Sequence, residues 1–446
     1  MEYSGKEFDA IVIGAGIMGS CTANELSKRG SKVLLLEQFD FLHQRGSSHG
    51  ESRTIRATYP EPYYTSMVLE STRLWEEAEE EIGYRVYTKT LQFDMGPPDN
   101  KSLQSVIANC KLNSITHQVL NHQQVTEKFS GTFDMPHDWI GLSTELGGIL
   151  KPTKSVSMFQ TLAIRRGAVV RDNMEVREII KDEERGGVWV CTSNGERYWG
   201  SKCVVTVGAW MRKLVKTVTG LELPIQPLHT TIAYWKIKPG FEGDFSPESG
   251  FPSFASYGNP YIYGTPMSEF PGLIKVAVHG GYPCDPDNRS WTTDMGYLGD
   301  VVGPWVEGQF SGRVQSDMPV MVQPCMYSMT PDGDFVIDFL GGEFGRDVVV
   351  AGGFSGHGFK MGPVVGRIVA DLVLNGQAQG VDLSYFRLDR FQGNPKGNLK
   401  DFEDQGVKLL VAGGGSRHLA RLWGTVGWAV RTGDDKGFAL SHIFHR

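Results

Sequence analysis

The stretch Phe8–Glu37, FDAIVIGAGIMGSCTANELSKRGSKVLLLE, constrains the fold more than any other part of the chain. Its apolar run, Ala10–Ile13, predicts a strand buried on both faces. The run leads into Gly14-Ala15-Gly16-Ile17-Met18-Gly19, a G-x-G-x-x-G turn. A helix follows, with small or apolar residues at Ile17, Cys21, Ala23 and Leu26 and a C-cap near Gly30. A second strand, Lys32–Leu36, ends on Glu37.

Each glycine has a physical task in such a unit. Gly14 makes the tight turn, Gly16 lets a pyrophosphate approach the backbone, and Gly19 lets the helix pack on the strands. The helix N-terminus offers free N–H groups and a partial positive charge to phosphates. Glu37, about 20 residues on, is suited to a ribose 2′-OH and disfavours a 2′-phosphate. The unit predicts a dinucleotide-binding α/β fold and leaves NAD and FAD both open.

A chain of 446 residues exceeds one core, so two domains are expected. The net charge of −7 provides no basic field for nucleic acid. No apolar run approaches the ~20 residues of a membrane span. The first residues, MEYSGKEFDA, lack the apolar core of a secretion signal. Six scattered cysteines without paired spacing argue against a disulfide framework or a zinc site, and no metal is expected. They fit a reducing, intracellular compartment.

After Glu37 a polar loop is expected over Gln44–Tyr59, containing Ser47, His49, Ser52, Arg53 and Arg56. It leaves the carboxyl end of the second strand, where open α/β sheets bind ligands. Arg53 and Arg56, spaced i, i+3, could share a face. A long helix is predicted over Met67–Gly83, its run from Glu76 to Glu81 forming a solvated face. Tyr84–Phe93 alternates like a strand and leads the chain out of the first domain. Leu146–Pro152 leads it back, into a helix over Thr153–Arg166. Cys203–Val207 reads as a buried strand running into Gly208-Ala209-Trp210, a second turn that could press on a cofactor. Strands at Thr230–Lys238, Tyr261–Gly264 and Leu273–His279 build a second domain. Val348–Gly352, the glycine-rich loop Gly353–Lys360 and a helix over Met361–Leu374 complete the first. From about Gly406 the tail loses periodicity and reads as a poorly ordered extension.

FDAIVIGAGIMGS, GSSHGESRTIR, VVTVGAW, KVAVH, PCMY and GGFSGHGFK occur in an order that resembles the monomeric sarcosine oxidase family, over about Phe8 to Arg390. Its relatives include pipecolate oxidase, N-methyltryptophan oxidase and fructosyl amino acid oxidase. The resemblance implies a D-amino-acid-oxidase-like fold: a Rossmann-type FAD-binding domain and a second, mainly antiparallel-sheet substrate domain. The expected division is 1–84, 149–220 and 325–392 for FAD, with 85–148 and 221–324 for substrate and 406–446 as the atypical tail.

The resemblance also assigns residues. Cys325 would carry the flavin through a thioether to its 8α-methyl. Arg56 and Lys360 would hold the substrate carboxylate, and Arg53 would lie beside the flavin face. Lys275 would activate oxygen, His279 and Tyr327 would flank the substrate amine, and Tyr263 would be another active-site tyrosine. The cofactor set would be Gly14, Gly16, Gly19, Glu37, Ser47, His49, Ser52, Arg53, Cys325, Gly356, Gly358 and Lys360. The implied reaction is oxidation of sarcosine, or alternatively L-pipecolate, by O2 in a monomeric protein. Rivals of other classes are an NAD-dependent dehydrogenase and an inactive flavin-binding protein. Peroxide-producing relatives suggest a peroxisome, yet the chain ends His-Phe-His-Arg rather than Ser-Lys-Leu, which leaves the cytoplasm open.

Overall fold

The computed structural model describes residues 6–289, 295–400, 408–411 and 415–418. Its first sheet has eight strands. The central five are parallel, in the spatial order Val348–Gly352, Arg197–Val205, Glu7–Ile13, Val33–Leu36 and Val169–Arg171. Residues alternate to two dry faces. Ala10, Val12, Val33, Leu35, Val204 and Val349 join one core, and Ile11, Ile13, Leu34, Leu36, Cys203 and Val350 join another. Helices Ile17–Lys28, Pro62–Ile82, Pro152–Arg165 and Gly362–Asn375 cover the first face, which explains why these strands are apolar throughout. Helix Gly362–Asn375 packs flush on Ile17–Lys28, because a Cβ on Gly366 would lie 2.7 Å from the Cys21 carbonyl carbon.

The second sheet joins twelve strands, mostly antiparallel. Gln226–Lys236 lies beside Leu273–Val278 and Met321–Met329, and Tyr87–Gly96 pairs with Ile140–Leu150. A separate core of aromatic rings, including Phe93, Phe133, Phe251, Phe254 and Phe310, fills its underside. No helix among the described residues is long and apolar enough to cross a membrane.

Three expectations need correction or restriction. Gln44–Tyr59 is not all loop: Arg53–Arg56 is a strand, antiparallel to residues 147–150 and part of the second sheet. The run Glu76–Glu81 is not uniformly solvated. Glu79 is 2% exposed and accepts from the amides of Val86 (2.5 Å) and Tyr87 (2.6 Å), turning the chain after the helix. Of the tail, Lys408–Val411 and Gly415–His418 form two short paired strands. The expectation for its other residues lies outside the described residues.

Candidate active site

A cavity of about 240 Å³ opens at the carboxyl ends of the parallel strands. Gly14, Gly16, Glu37, Ser47, Ser48 and the turn Val207–Trp210 line it. Gly14 has φ +95°, and a Cβ there would sit 2.7 Å from the Thr206 carbonyl oxygen. A Cβ on Gly19 would run into the Gly14 carbonyl. The turn is therefore pressed between the first helix and the end of the neighbouring strand. Glu37 is 6% exposed and tied into the turn: its Oε2 accepts from Ala15 N at 2.8 Å and its Oε1 from Phe39 N at 3.2 Å. Ser48 Oγ accepts from Ile17 N at 3.1 Å, at the first turn of the helix. This glycine cradle at a helix N-terminus, walled by Glu37, fits the pyrophosphate and ribose of FAD.

A second cavity, of about 150 Å³, adjoins it. Arg53, Cys325, Tyr327, Gly356 and Phe359 line both. Strand period explains how distant residues converge. Cys325 and Tyr327, two apart on Met321–Met329, point to one face. Tyr263 and Lys275 lie on adjacent antiparallel strands, Thr265 opposite Lys275 and Tyr263 opposite Ala277. Continuing that face brings in Tyr261 and His279, joined where His279 N donates to Tyr261 O at 2.9 Å.

Arg53 and Arg56 do not share a face, since an i, i+3 spacing on a strand separates them. Arg53 Nη2 donates to the carbonyls of Ser47 (3.0 Å) and His49 (2.8 Å) and lies 3.3 Å from Cys325 Sγ. Arg56 turns to Thr58 and Tyr261, reaching Thr58 Oγ1 at 3.2 Å and Tyr261 Oη at 3.4 Å. Burial works against its charge, and the Tyr261 and Tyr257 hydroxyls and the Asp94 carboxylate more than offset that. Lys360 is 6% exposed and donates to Tyr59 Oη at 3.0 Å and His357 O at 2.9 Å. Burial, then the Arg56 charge, hold it well below the ordinary lysine range. Among the described residues no carboxylate is paired with Lys360.

Lys275 is 1% exposed and donates to Ser52 Oγ at 2.9 Å and Ser52 O at 3.2 Å. Burial and the Arg53 charge lower its pKa to about 8. His279 is lowered to about 4 by burial and by Arg56 and Lys360, so it is neutral at pH 7. Tyr263 Oη lies 3.4 Å from Tyr327 Oη.

Most expected residues therefore converge. Gly14, Gly16, Glu37, Ser47 and Gly358 line the larger cavity. Arg56, Tyr263, Lys275, His279 and Lys360 line the smaller one. Gly19, His49 and Ser52 line neither: Gly19 acts through packing, and Ser52 stands behind Lys275. His49 is 3% exposed, its pKa lowered to about 3 by burial and by Arg53 and Arg289. Sequence reasoning missed Ser48, Tyr59, Tyr261 and His357. Ser48 and His357 fall inside the quoted motifs, and Tyr59 follows Arg56 by three residues. Tyr261 could have been found from the two-residue alternation with Tyr263.

The family described as FAD dependent oxidoreductase (DAO) matches residues 9–372. The chain is 61% identical over 409 residues to a probable sarcosine oxidase of Arabidopsis thaliana, covering 91% of this chain and 98% of that protein. It is 35% identical over 398 residues to the peroxisomal sarcosine oxidase of Homo sapiens, covering 88% and 98%. The structure of NikD, an unusual amino acid oxidase essential for nikkomycin biosynthesis, superposes with TM-score 0.73 at 24% identity, over 90% of this chain and 100% of that one, a likeness of fold. By sequence, fold and a cradle built for a flavin dinucleotide, the chain belongs to the FAD dependent oxidoreductase (DAO) family.

Proposed function

We propose that the protein oxidises small secondary amino acids with O2, sarcosine being the reference substrate: sarcosine, O2 and water give glycine, formaldehyde and hydrogen peroxide. The observation that carries this reading is the pair of basic side chains, Arg56 and Lys360, in a small cavity that shares the wall of Arg53, Cys325 and Tyr327 with the cofactor cavity. Two basic groups, with no carboxylate paired to Lys360 among the described residues, suit an anionic group of the substrate. FAD, when bound, accepts two electrons from the substrate and passes them to O2.

The chain's own groups do the rest. Arg56 and Lys360 hold the carboxylate and thereby orient the N–CH bond. His279, Tyr263 and Tyr327 present neutral groups to the amine, and burial favours its uncharged form. Lys275 keeps most of its charge at pH 7 and supplies a fixed positive charge where oxygen gains negative charge. Cys325, 3.3 Å from Arg53, is the residue proposed to hold the flavin as a thioether.

In this reading residues 1–84, 149–220 and 325–392 bind FAD, and 85–148 and 221–324 shape the substrate pocket, although the strand Arg53–Arg56 pairs into the second sheet. The protein works as a monomer, in an intracellular compartment. A peroxisome is favoured by the relative of that name in Homo sapiens.

The test is a peroxide assay on purified protein with sarcosine, L-pipecolate, and dimethylamine (sarcosine without its carboxylate). Turnover of the amino acids far above dimethylamine supports the reading, and their ratio fixes the preference. Equal turnover of dimethylamine, or none of the amino acids by a protein that holds flavin, overturns it.

A further inference from the structure

Lys360 has a second layer of support that its proposed role does not explain. Its ammonium donates to the Tyr59 hydroxyl at 3.0 Å, and that hydroxyl lies 3.1 Å from His357 Nδ1. His357 Nε2 lies 3.0 Å from the Gly333 carbonyl oxygen. A carbonyl only accepts, so Nε2 carries the hydrogen and Nδ1 is the acceptor. Tyr59 must then donate to Nδ1, which turns its lone pairs to Lys360. Proton order runs one way: Lys360 to Tyr59, Tyr59 to His357, His357 to Gly333. With Tyr59 and the His357 carbonyl taking two of its three hydrogens, Lys360 keeps the third for the cavity. The Tyr59 ring also lies under both cations, 4.9 Å from Arg56 Cζ and 5.5 Å from Lys360 Nζ.

We propose that Tyr59 and His357 are positioning residues that keep Lys360 charged and aim it at the substrate carboxylate, and so make the site selective for amino acids over simple amines. The proposal rests on the reading of Lys360 as a carboxylate anchor. Tyr59 works through hydrogen-bond polarity: with its proton committed to His357, its oxygen is a better acceptor for an ammonium. His357 is fitted to this by being neutral, held well below the ordinary histidine range by burial and by Lys360.

The probe is propionate, a carboxylate without an amine, so no ligand group titrates above pH 6. Its dissociation constant is read from the flavin absorbance between pH 6 and 10. The charged and titratable groups around Lys360 and Tyr59 are Arg56, Tyr64, Tyr261, His279, His357, Glu61 and Lys400, and burial holds the Tyr64 hydroxyl neutral. Arg56 stays charged, His279 and His357 stay neutral, and Glu61 is paired with Lys400 at 2.7 Å. Lys275 also titrates in this range, near 8. Repeating the titration in Lys360→Met therefore assigns the basic limb. Tyr59→Phe keeps the ring and removes only the hydroxyl.

Propionate and sarcosine should each bind about tenfold more weakly to Tyr59→Phe, the scale of a hydrogen bond to a charged group. The basic limb should move to lower pH, with the flavin spectrum nearly unchanged. His357→Asn should shift the limb the same way by less, and it serves if Tyr59→Phe fails to fold. If Lys360→Met binds propionate as well as wild type, the anchor reading fails and this proposal with it. If Lys360→Met loses binding while Tyr59→Phe and His357→Asn keep both affinity and limb, the anchor stands and the positioning role is overturned.

Discussion

At the scale of single residues, the charges in and behind the smaller cavity come with marked penalties, and each penalty can be measured. Asp94 is fully buried, and its Oδ1 accepts from Gln92 Nε2 at 3.0 Å. Burial raises its pKa from 3.8 to about 6 despite Arg56. The sign follows from proton counts: between these values the folded state binds more protons than the unfolded one, so stability falls as pH rises. The two-unit difference costs on the order of 3 kcal/mol above pH 6. Asp94→Asn should remove that slope, so its denaturant midpoint at pH 7, measured relative to its midpoint at pH 4.5, should be higher than in wild type; an unchanged difference refutes the assignment. Lys275 makes a kinetic prediction. Its charge is present below about pH 8 and lost above it, so reoxidation by O2 should slow through that range. Lys275→Met should slow reoxidation by about 10²–10³-fold, with no inflection near pH 8 and substrate reduction little affected. Stopped-flow reoxidation of the reduced protein separates the two steps.

At the scale of elements, two glycines that look alike in sequence carry different loads. Gly19 sits inside the first helix, where a Cβ would strike the Gly14 carbonyl. Neither backbone can yield without parting the helix from the sheet. Gly19→Ala should therefore cost about 1–3 kcal/mol by overpacking and yield protein with little FAD. Gly356 lies in the loop between strand Val348–Gly352 and helix Gly362–Asn375, with φ +78°. A Cβ there meets side chains: Tyr327 at 2.8 Å and His279 at 3.0 Å. Gly356→Ala should keep the FAD and the fold but displace those rings, so turnover falls while flavin content holds. Equal flavin loss in both variants would refute the distinction. What the sequence disclosed follows the same line. The strand–turn–helix over Phe8–Glu37 is legible because local turn geometry and two-sided burial leave few alternatives. Arg53–Arg56 was not, because it becomes a strand only by pairing with residues 147–150, nearly a hundred positions away. Burial of Glu79 inside an acidic run escaped for the same reason: the amides that claim it belong to Val86 and Tyr87, beyond the helix end.

At the scale of the whole molecule, the two cavities meet where the two sheets approach one another. The parallel sheet supplies the cradle around Gly14, Gly16 and Glu37. The larger sheet supplies Arg53, Lys275, Cys325 and Tyr327. A flavin reaching from the cradle to Cys325 would thus touch both sheets, and its binding energy would stabilise the molecule as a unit. If Cys325 holds it covalently, wild-type protein carries its ligand permanently, and Tm should not respond to added FAD. Cys325→Ser removes the tether while leaving the cradle intact. Its FAD should be released by acid precipitation, where wild-type protein keeps its colour. Its Tm should then rise with added FAD by mass action, with about 2.7 kcal/mol gained at a hundredfold excess over Kd. If both sheets grip the same ligand, near-UV circular dichroism and limited proteolysis at sites in either sheet should report the same FAD-dependent midpoint. Two midpoints, with only the parallel sheet responding, would mean that the ring gains little from the larger sheet. Release of FAD from wild-type protein by acid would refute the tether while leaving the cradle as described.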